Sequence, residues 1–135
     1  MNLTELNRFG NRYAKAWCSQ DPASVAAFFN ETGSLSINEN APAIGRSEIA
    51  RVAQSFMTDF PDIQVTMDDL LPQAQGTVFH WTLTGTNTGP NGTGQHVHIK
   101  GYEVWTFGAD HLIASSKGHY DADDYAHQLQ HGANN

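Results

Sequence analysis

One cysteine in 135 residues excludes an internal disulfide framework, and Cys18 fits a reducing compartment. Cations are scarce as well: seven Lys and Arg against fourteen Asp and Glu leave a net charge of −7 with histidine neutral. With no basic run anywhere, a surface of that sign repels phosphate backbones and anionic lipid, so neither nucleic acid nor a membrane is an expected partner. Long apolar runs are also missing. The longest uncharged stretches, such as 82–97, are full of Gly, Thr and Asn, far from the ~18 apolar residues of a membrane span. The start, Met1-Asn2-Leu3-Thr4-Glu5, has neither the basic nor the apolar region of a signal peptide, which with the lone cysteine predicts a cytoplasmic location. What is present, 39% hydrophobic and 10% aromatic residues, suits one core and a single domain over 1–135.

The first third reads as helices. Leu3, Leu6, Phe9, Tyr13 and Trp17 recur at steps of three and four, one apolar stripe, with Asn2 placed to cap the start. Asp21-Pro22 announces a second helix, a capping residue followed by proline where its missing N–H costs nothing, with Val25, Phe28 and Phe29 on the buried side. A third helix is expected from Ser47, with Ile49, Val52, Ala53, Phe56 and Phe60 on one face and Pro61 as its stop.

After Pro61 the period becomes two. Ile63, Val65 and Met67 form one alternating run and Phe79, Trp81 and Leu83 another. The turn-rich stretch 86–93 then makes the next strand, 95–107, an antiparallel partner. A further strand over 111–120 follows, and a closing helix over 122–130 carries Tyr125 and Leu129. Helices first and antiparallel strands after mean an α+β fold.

Glu103 is the sharpest anomaly. On its strand Val97, Ile99, Trp105 and Phe107 form the apolar face, and Glu103 lies among them. A carboxyl group there must be paired, hydrogen-bonded or protonated, and burial would raise its pKa towards a range useful for proton transfer. The next strand sets Leu112, Ala114, Ser116, Gly118 and Tyr120 on one face, mostly small residues that leave space opposite Trp105. His119 and His80 are candidate pocket donors. His96-Val97-His98 followed by Glu103 resembles the His-x-His-x4-Glu metal motif of cupins, but His98 and Glu103 differ by an odd number and face opposite sides of a regular strand. No metal site is expected. Asp121 has two readings, acid/base at a strand end or N-cap of the closing helix. Cys18 reads as a packing thiol, and no nucleophile elbow or phosphate-cradling glycine motif occurs.

Taken in order, Gln20-Asp21-Pro22-Ala23 through Phe28-Phe29, Gly45-Arg46-Ser47-Glu48-Ile49, Trp81-Thr82-Leu83-Thr84-Gly85-Thr86, Glu103-Val104-Trp105-Thr106-Phe107 and His119-Tyr120-Asp121 resemble the nuclear transport factor 2-like superfamily. Within it the chain is most similar to the branch of SnoaL-like polyketide cyclases and ketosteroid isomerases. The resemblance covers essentially the whole chain. It implies helices packed in a strongly curved antiparallel sheet, a cone-shaped, cystatin-like α+β barrel with one apolar pocket.

Ketosteroid isomerases, also a standard case of a carboxylic acid held neutral in an apolar site, stabilise an enolate with a helix tyrosine and a protonated acid on a late strand. By motif position these are Tyr13 and Glu103. The isomerase base has no counterpart, because the corresponding segment is Leu35-Ser36-Ile37-Asn38, which offers Ser36 or Asn38 instead, either able to orient a ligand or water. In SnoaL-like cyclases an acidic residue of the His119-Tyr120-Asp121 segment serves as acid/base, which makes Asp121 the candidate. The Asp-Arg-Asp trio of limonene epoxide hydrolases is missing.

The resemblance thus implies cofactor-independent proton abstraction next to a carbonyl of a small apolar compound, an aldol cyclisation or an isomerisation. Asp121 or His119 would move the proton, Tyr13 and Glu103 would hydrogen-bond the enolate oxygen, and Trp17, Trp81, Trp105, His80, Tyr120 and Asn38 would shape the pocket. The alternative is a module that binds a small apolar metabolite without turnover. A homodimer through the outer sheet face, with His98, Lys100, Tyr102, Val104 and Thr106, is also implied.

Overall fold

In the computed structural model, which describes residues 1–133, three helices precede most of the sheet and one follows it. Helix α1 (Leu3–Trp17) starts where Asn2 Oδ1 accepts from Glu5 N at 2.8 Å, and it buries Leu6, Phe9, Tyr13 and Trp17. Helix α2 (Pro22–Ala26) is capped by Asp21, which accepts from Ala23 N. It ends earlier than its sequence suggests: Phe29, fully buried, is the first residue of strand β1 (Phe29–Ile37) and not part of the helix. After the two-residue strand β2 (Ala43–Ile44), helix α3 (Arg46–Asp59) opens at Gly45 and not at Ser47. Gly45 has φ +89°, a conformation that L side chains rarely adopt, so backbone geometry fixes this start without a side-chain cap. Ile49, Ala53 and Met57 form its buried face, Val52 and Phe56 flank it half-buried, and Phe60 closes it just before Pro61.

Strands β3 (Gln64–Gln73), β4 (Gly76–Thr86), β5 (His96–Phe107) and β6 (Ile113–Tyr120) complete one sheet in the order β2-β1-β6-β5-β4-β3, and helix α4 (Ala122–His131) closes the chain. The sheet is curved and does not close on itself. Its pairs are antiparallel except β1 with β6, which run parallel. The α+β class expected from the sequence is the one observed.

Three register shifts interrupt the pairing; one lies between Phe29 and Ser34 where β1 pairs β6, and the other two move side chains away from strict alternation in β3 and β6. Between Met67 and Asp69 a bulge lets Leu70 turn inward where Val65 had set the phase. Between Thr106 and Phe107 a second shift pairs Thr106 with Ser115 but Phe107 with Ile113, so Ile113 is buried in place of Leu112 or Ala114. Helix α1 lies in the concavity. Phe9 and Tyr13 meet Trp105 edge to face at 5.6 and 5.1 Å, and Phe79 stacks on Trp105 at 4.7 Å. Such contacts add to the apolar burial that holds helix and sheet together.

Candidate active site

Burial and register bring four side chains of α1, β5 and β6 together around one oxygen. Pairing sets Trp105 opposite Ser116 and Glu103 opposite Gly118, so Ser116 lies diagonally from Glu103. Tyr13 arrives from α1. The Ser116 hydroxyl donates to Glu103 Oε1 at 2.6 Å, the Trp105 indole N–H at 3.0 Å and the Tyr13 hydroxyl at 3.0 Å. The second oxygen, Oε2, accepts no hydrogen bond from the described residues, and the side chain borders a cavity. A Cβ at Gly118 would sit 3.6 Å from Glu103 Cγ, so the missing side chain keeps the space beside the carboxyl open.

Burial pushes the Glu103 pKa up, while the Ser116, Trp105 and Tyr13 donors pull it back without cancelling the rise. Three donors fill the lone pairs of Oε1, which leaves Oε2 as the atom that carries the proton. Burial, with the adjacent Glu103 charge second, raises the Tyr13 phenol well above its ordinary value, so Tyr13 stays a neutral donor.

The cavity opens above this cluster. Water-molecule centres have about 70 Å³ of room inside, where one water needs roughly 10–15 Å³, so it holds several waters or a compact organic group. Leu35, Val65, Leu83 and Ile99 supply aliphatic wall, and Trp17, Phe56, Trp81, Tyr120 and Tyr125 supply aromatic wall. The indole of Trp81 rests over Gly101, its partner across the strands, where any Cβ would collide with it. Trp81 Nε1 is buried with no partner among the described residues. Burial raises the Tyr120 phenol. Burial, then the neighbouring Tyr120 and Asp59, pushes Tyr125 up to about 12.

Of the side chains singled out from sequence, Glu103, Trp17, Trp81, Tyr120 and His119 border the cavity. The others are placed differently. Tyr13 is wholly buried behind Glu103 and its hydroxyl is spent on the carboxyl, whereas Trp17, one turn further along α1, borders the cavity. Trp105 lies behind Glu103 as well, sandwiched by Phe79. His80 sits on the other face of β4, its ring 5.9 Å from Tyr102. His119 borders the cavity, but its ring stacks on the exposed Tyr102 at 4.9 Å, away from Glu103. Asn38, at φ +54°, uses its side-chain oxygen to accept from Tyr120 N and so fixes the end of β6. Asp121 is exposed and caps α4 by accepting from Asp124 N at 3.0 Å. It does not border the cavity.

Ser116 and Tyr125 are the residues that sequence reasoning undervalued. Ser116 counts there only as a small residue, although a hydroxyl two positions from Gly118 on an inward face is itself a donor signal. Nothing in the period of α4 announces that its Tyr125 borders the cavity. The cupin-like histidines do not converge with Glu103: His96 and His98 are exposed on β5 while Glu103 points inward. No group of three or more His, Cys, Asp or Glu able to hold a metal occurs among the described residues.

Solved structures share this architecture. A hypothetical protein with a ketosteroid isomerase-like fold from Catenulispora acidiphila DSM 44928, in complex with trimethylamine, matches with a TM-score of 0.77 at 15% identity, covering 90% of this chain and 91% of that one. A candidate SnoaL-like polyketide cyclase from Jannaschia sp. CCS1 matches at 0.74 and 13% identity over 98% and 99%. The epoxide hydrolase/cyclase-like enzyme SalBIII of pyran ring formation in salinomycin matches at 0.75 and 16% over 90% and 94%. At such identities the likeness is one of fold. No curated protein matches the sequence. The SnoaL-like domain model, in contrast, matches residues 11–116 directly, a span that runs from α1 through Glu103 to Ser116. The chain therefore belongs to the SnoaL-like domain family.

Proposed function

We propose that this protein is a cofactor-independent small-molecule enzyme that moves a proton at a carbon next to a carbonyl, in an aldol cyclisation or an isomerisation, with Glu103 as the proton carrier. One observation carries the reading: three donors converge on Glu103 Oε1 and none on Oε2, at the wall of an apolar cavity. Oε2 then either gives its proton to a carbonyl oxygen or, once ionised, takes one from the neighbouring carbon. A positioned acid or base of this kind is worth roughly 10²–10⁴ in rate. Ser116, Tyr13 and Trp105 are positioning residues. The cyclase-type relatives support the reaction class.

Solvent exchange tests the proposal. In deuterium oxide, exchange at the α-carbon of small cyclic ketones, followed by proton NMR, is expected to run at least tenfold faster with the wild type than with Glu103→Gln. Equal rates would defeat it. Binding without turnover is the second reading, favoured by Asp121 standing outside the cavity, which leaves Glu103 as the only carboxylic acid in its wall among the described residues. Quenching of tryptophan fluorescence by the ketone, with no accelerated exchange, is its signature.

The assembly proposed is a homodimer through the outer face of β4 to β6. There Tyr102 lies between His80 and His119 and is 38% exposed. A monomeric mass in sedimentation at micromolar concentration would contradict it.

A further inference from the structure

The cavity has a second character besides its acid: five aromatic side chains share its wall with the aliphatic ones, and no lysine or arginine among the described residues borders it. We propose that it is a cage for a compact alkylated ammonium group. Trp17 meets Phe56 at 73°, Trp81 meets Tyr120 at 64° and Tyr120 meets Tyr125 at 80°. Rings set at such angles do not lie in one plane around the cavity that they line. Their negative faces attract a cation within about 6 Å of a centroid, most strongly where water is excluded. Glu103 adds the one full negative charge available to the occupant when it ionises, and Asp59 acts electrostatically on Tyr125 from the end of α3. An anionic ligand would meet the Glu103 carboxyl with no cation in the wall to balance it. The room of about 70 Å³ inside suits a compact head group.

This deepens the reading of Glu103 as proton carrier, since a cation in the cage draws the carboxyl into its ionised, base form. The reacting carbonyl and the ammonium group then belong to one substrate. The groups facing Glu103 are Tyr13 from α1, Trp105 on its own strand, Ser116 from β6, whose His119 ring turns away onto Tyr102, and the phenols Tyr120 and Tyr125 beyond them. None supplies a permanent positive charge that would hold Glu103 ionised without a ligand.

Choline and tetramethylammonium carry a charge that does not titrate, so any pH dependence of their binding belongs to the protein. Titrations followed by tryptophan fluorescence and calorimetry, between pH 5 and 9, compare choline with its uncharged isostere 3,3-dimethylbutan-1-ol. The expected preference for choline at pH 8 is at least tenfold, and it shrinks as pH falls and Glu103 takes up its proton. In Glu103→Gln the preference no longer varies with pH. In Phe56→Leu, a change at a half-buried position, the preference falls at least threefold while the fold, checked by circular dichroism, is kept. Equal affinity of choline and the isostere at pH 8 overturns the cage. If Glu103→Gln still abolishes ketone exchange in that case, the proton-carrier reading stands alone. A choline preference that ignores pH in the wild type contradicts the link to Glu103 and leaves only the aromatic box.

Discussion

The Ser116 hydroxyl donates to Glu103 Oε1 at 2.6 Å, the shortest of three bonds to that atom, and it does so from a strand position opposite Trp105. The oxygen that faces the protein is thus committed, and chemistry is left to the other. Ser116→Ala leaves Oε1 with two donors. A loss of about 1–2 kcal/mol in denaturant unfolding is expected, since one hydrogen bond to a buried group is removed. The Glu103 titration also moves further up, because a donor that favours the ionised form is gone. A variant with unchanged stability and unchanged titration would contradict this.

Tyr13→Phe separates positioning from direct contact. If the Tyr13 hydroxyl touched an enolate oxygen, its removal would slow ketone exchange by roughly 10²–10³. With the hydroxyl spent on Glu103, the variant is expected to lose about 1–2 kcal/mol of stability and to keep ketone affinity within threefold. Exchange slows less than tenfold and its pH profile moves upward with the Glu103 pKa. A hundredfold loss at every pH would return Tyr13 to the substrate.

Stability should fall with pH through Glu103. Burial raises its pKa in the folded chain, so between the unfolded value, about 4.3, and the folded one the native state binds more protons than the unfolded state. The contribution is fully present below the unfolded value and is lost as pH rises to the folded value, at about 1.4 kcal/mol per unit of pKa difference. Glu103→Gln has no such loss. Urea midpoints from pH 4 to 8 are therefore expected to show the wild type losing ground to the variant as pH increases. A constant difference, or the opposite slope, counts against the buried neutral acid.

Gln128 ties α4 to the sheet. Pairing of β5 with β6 begins at Gly101 and Tyr120, and past it the buried Gln128 amide takes the place of a strand. It accepts from His98 N at 2.7 Å and donates to His98 O at 3.1 Å. Gln128→Ala leaves both backbone groups unpaired, at an expected cost of about 1–3 kcal/mol. Amide exchange should accelerate across α4, whose Tyr125 borders the cavity. Unaltered protection there would show that α4 is held by packing alone.

Much of this was legible in the residues. Two-residue alternation put Glu103 inside with Val97, Ile99 and Trp105, where it lies, and capping at Asn2 and Asp21 marked two helix starts. Local pattern failed where tertiary geometry decides. Phe29 carries a helical stripe's spacing yet begins β1, because α2 stops after five residues. The bulge at 106–107 exchanges Ile113 for Leu112, and no periodicity shows an inserted residue. Motif position set Tyr13 beside Glu103, and the Tyr13 hydroxyl does donate to that carboxyl, but their order in depth was not readable: motif position says that two groups are near, and only packing says which one reaches the cavity. The same holds for Asp121, whose capping role and proposed chemistry require opposite orientations.

The most direct test is the titration of the Glu103 side-chain carboxyl carbon, followed by carbon NMR in glutamate-labelled protein and assigned by its loss in Glu103→Gln. The structure predicts a midpoint above the ordinary glutamate value, rising further in Ser116→Ala and falling when choline fills the cavity. A Glu103 carboxyl that titrates at or below the ordinary value, and is indifferent to Ser116, would contradict the account.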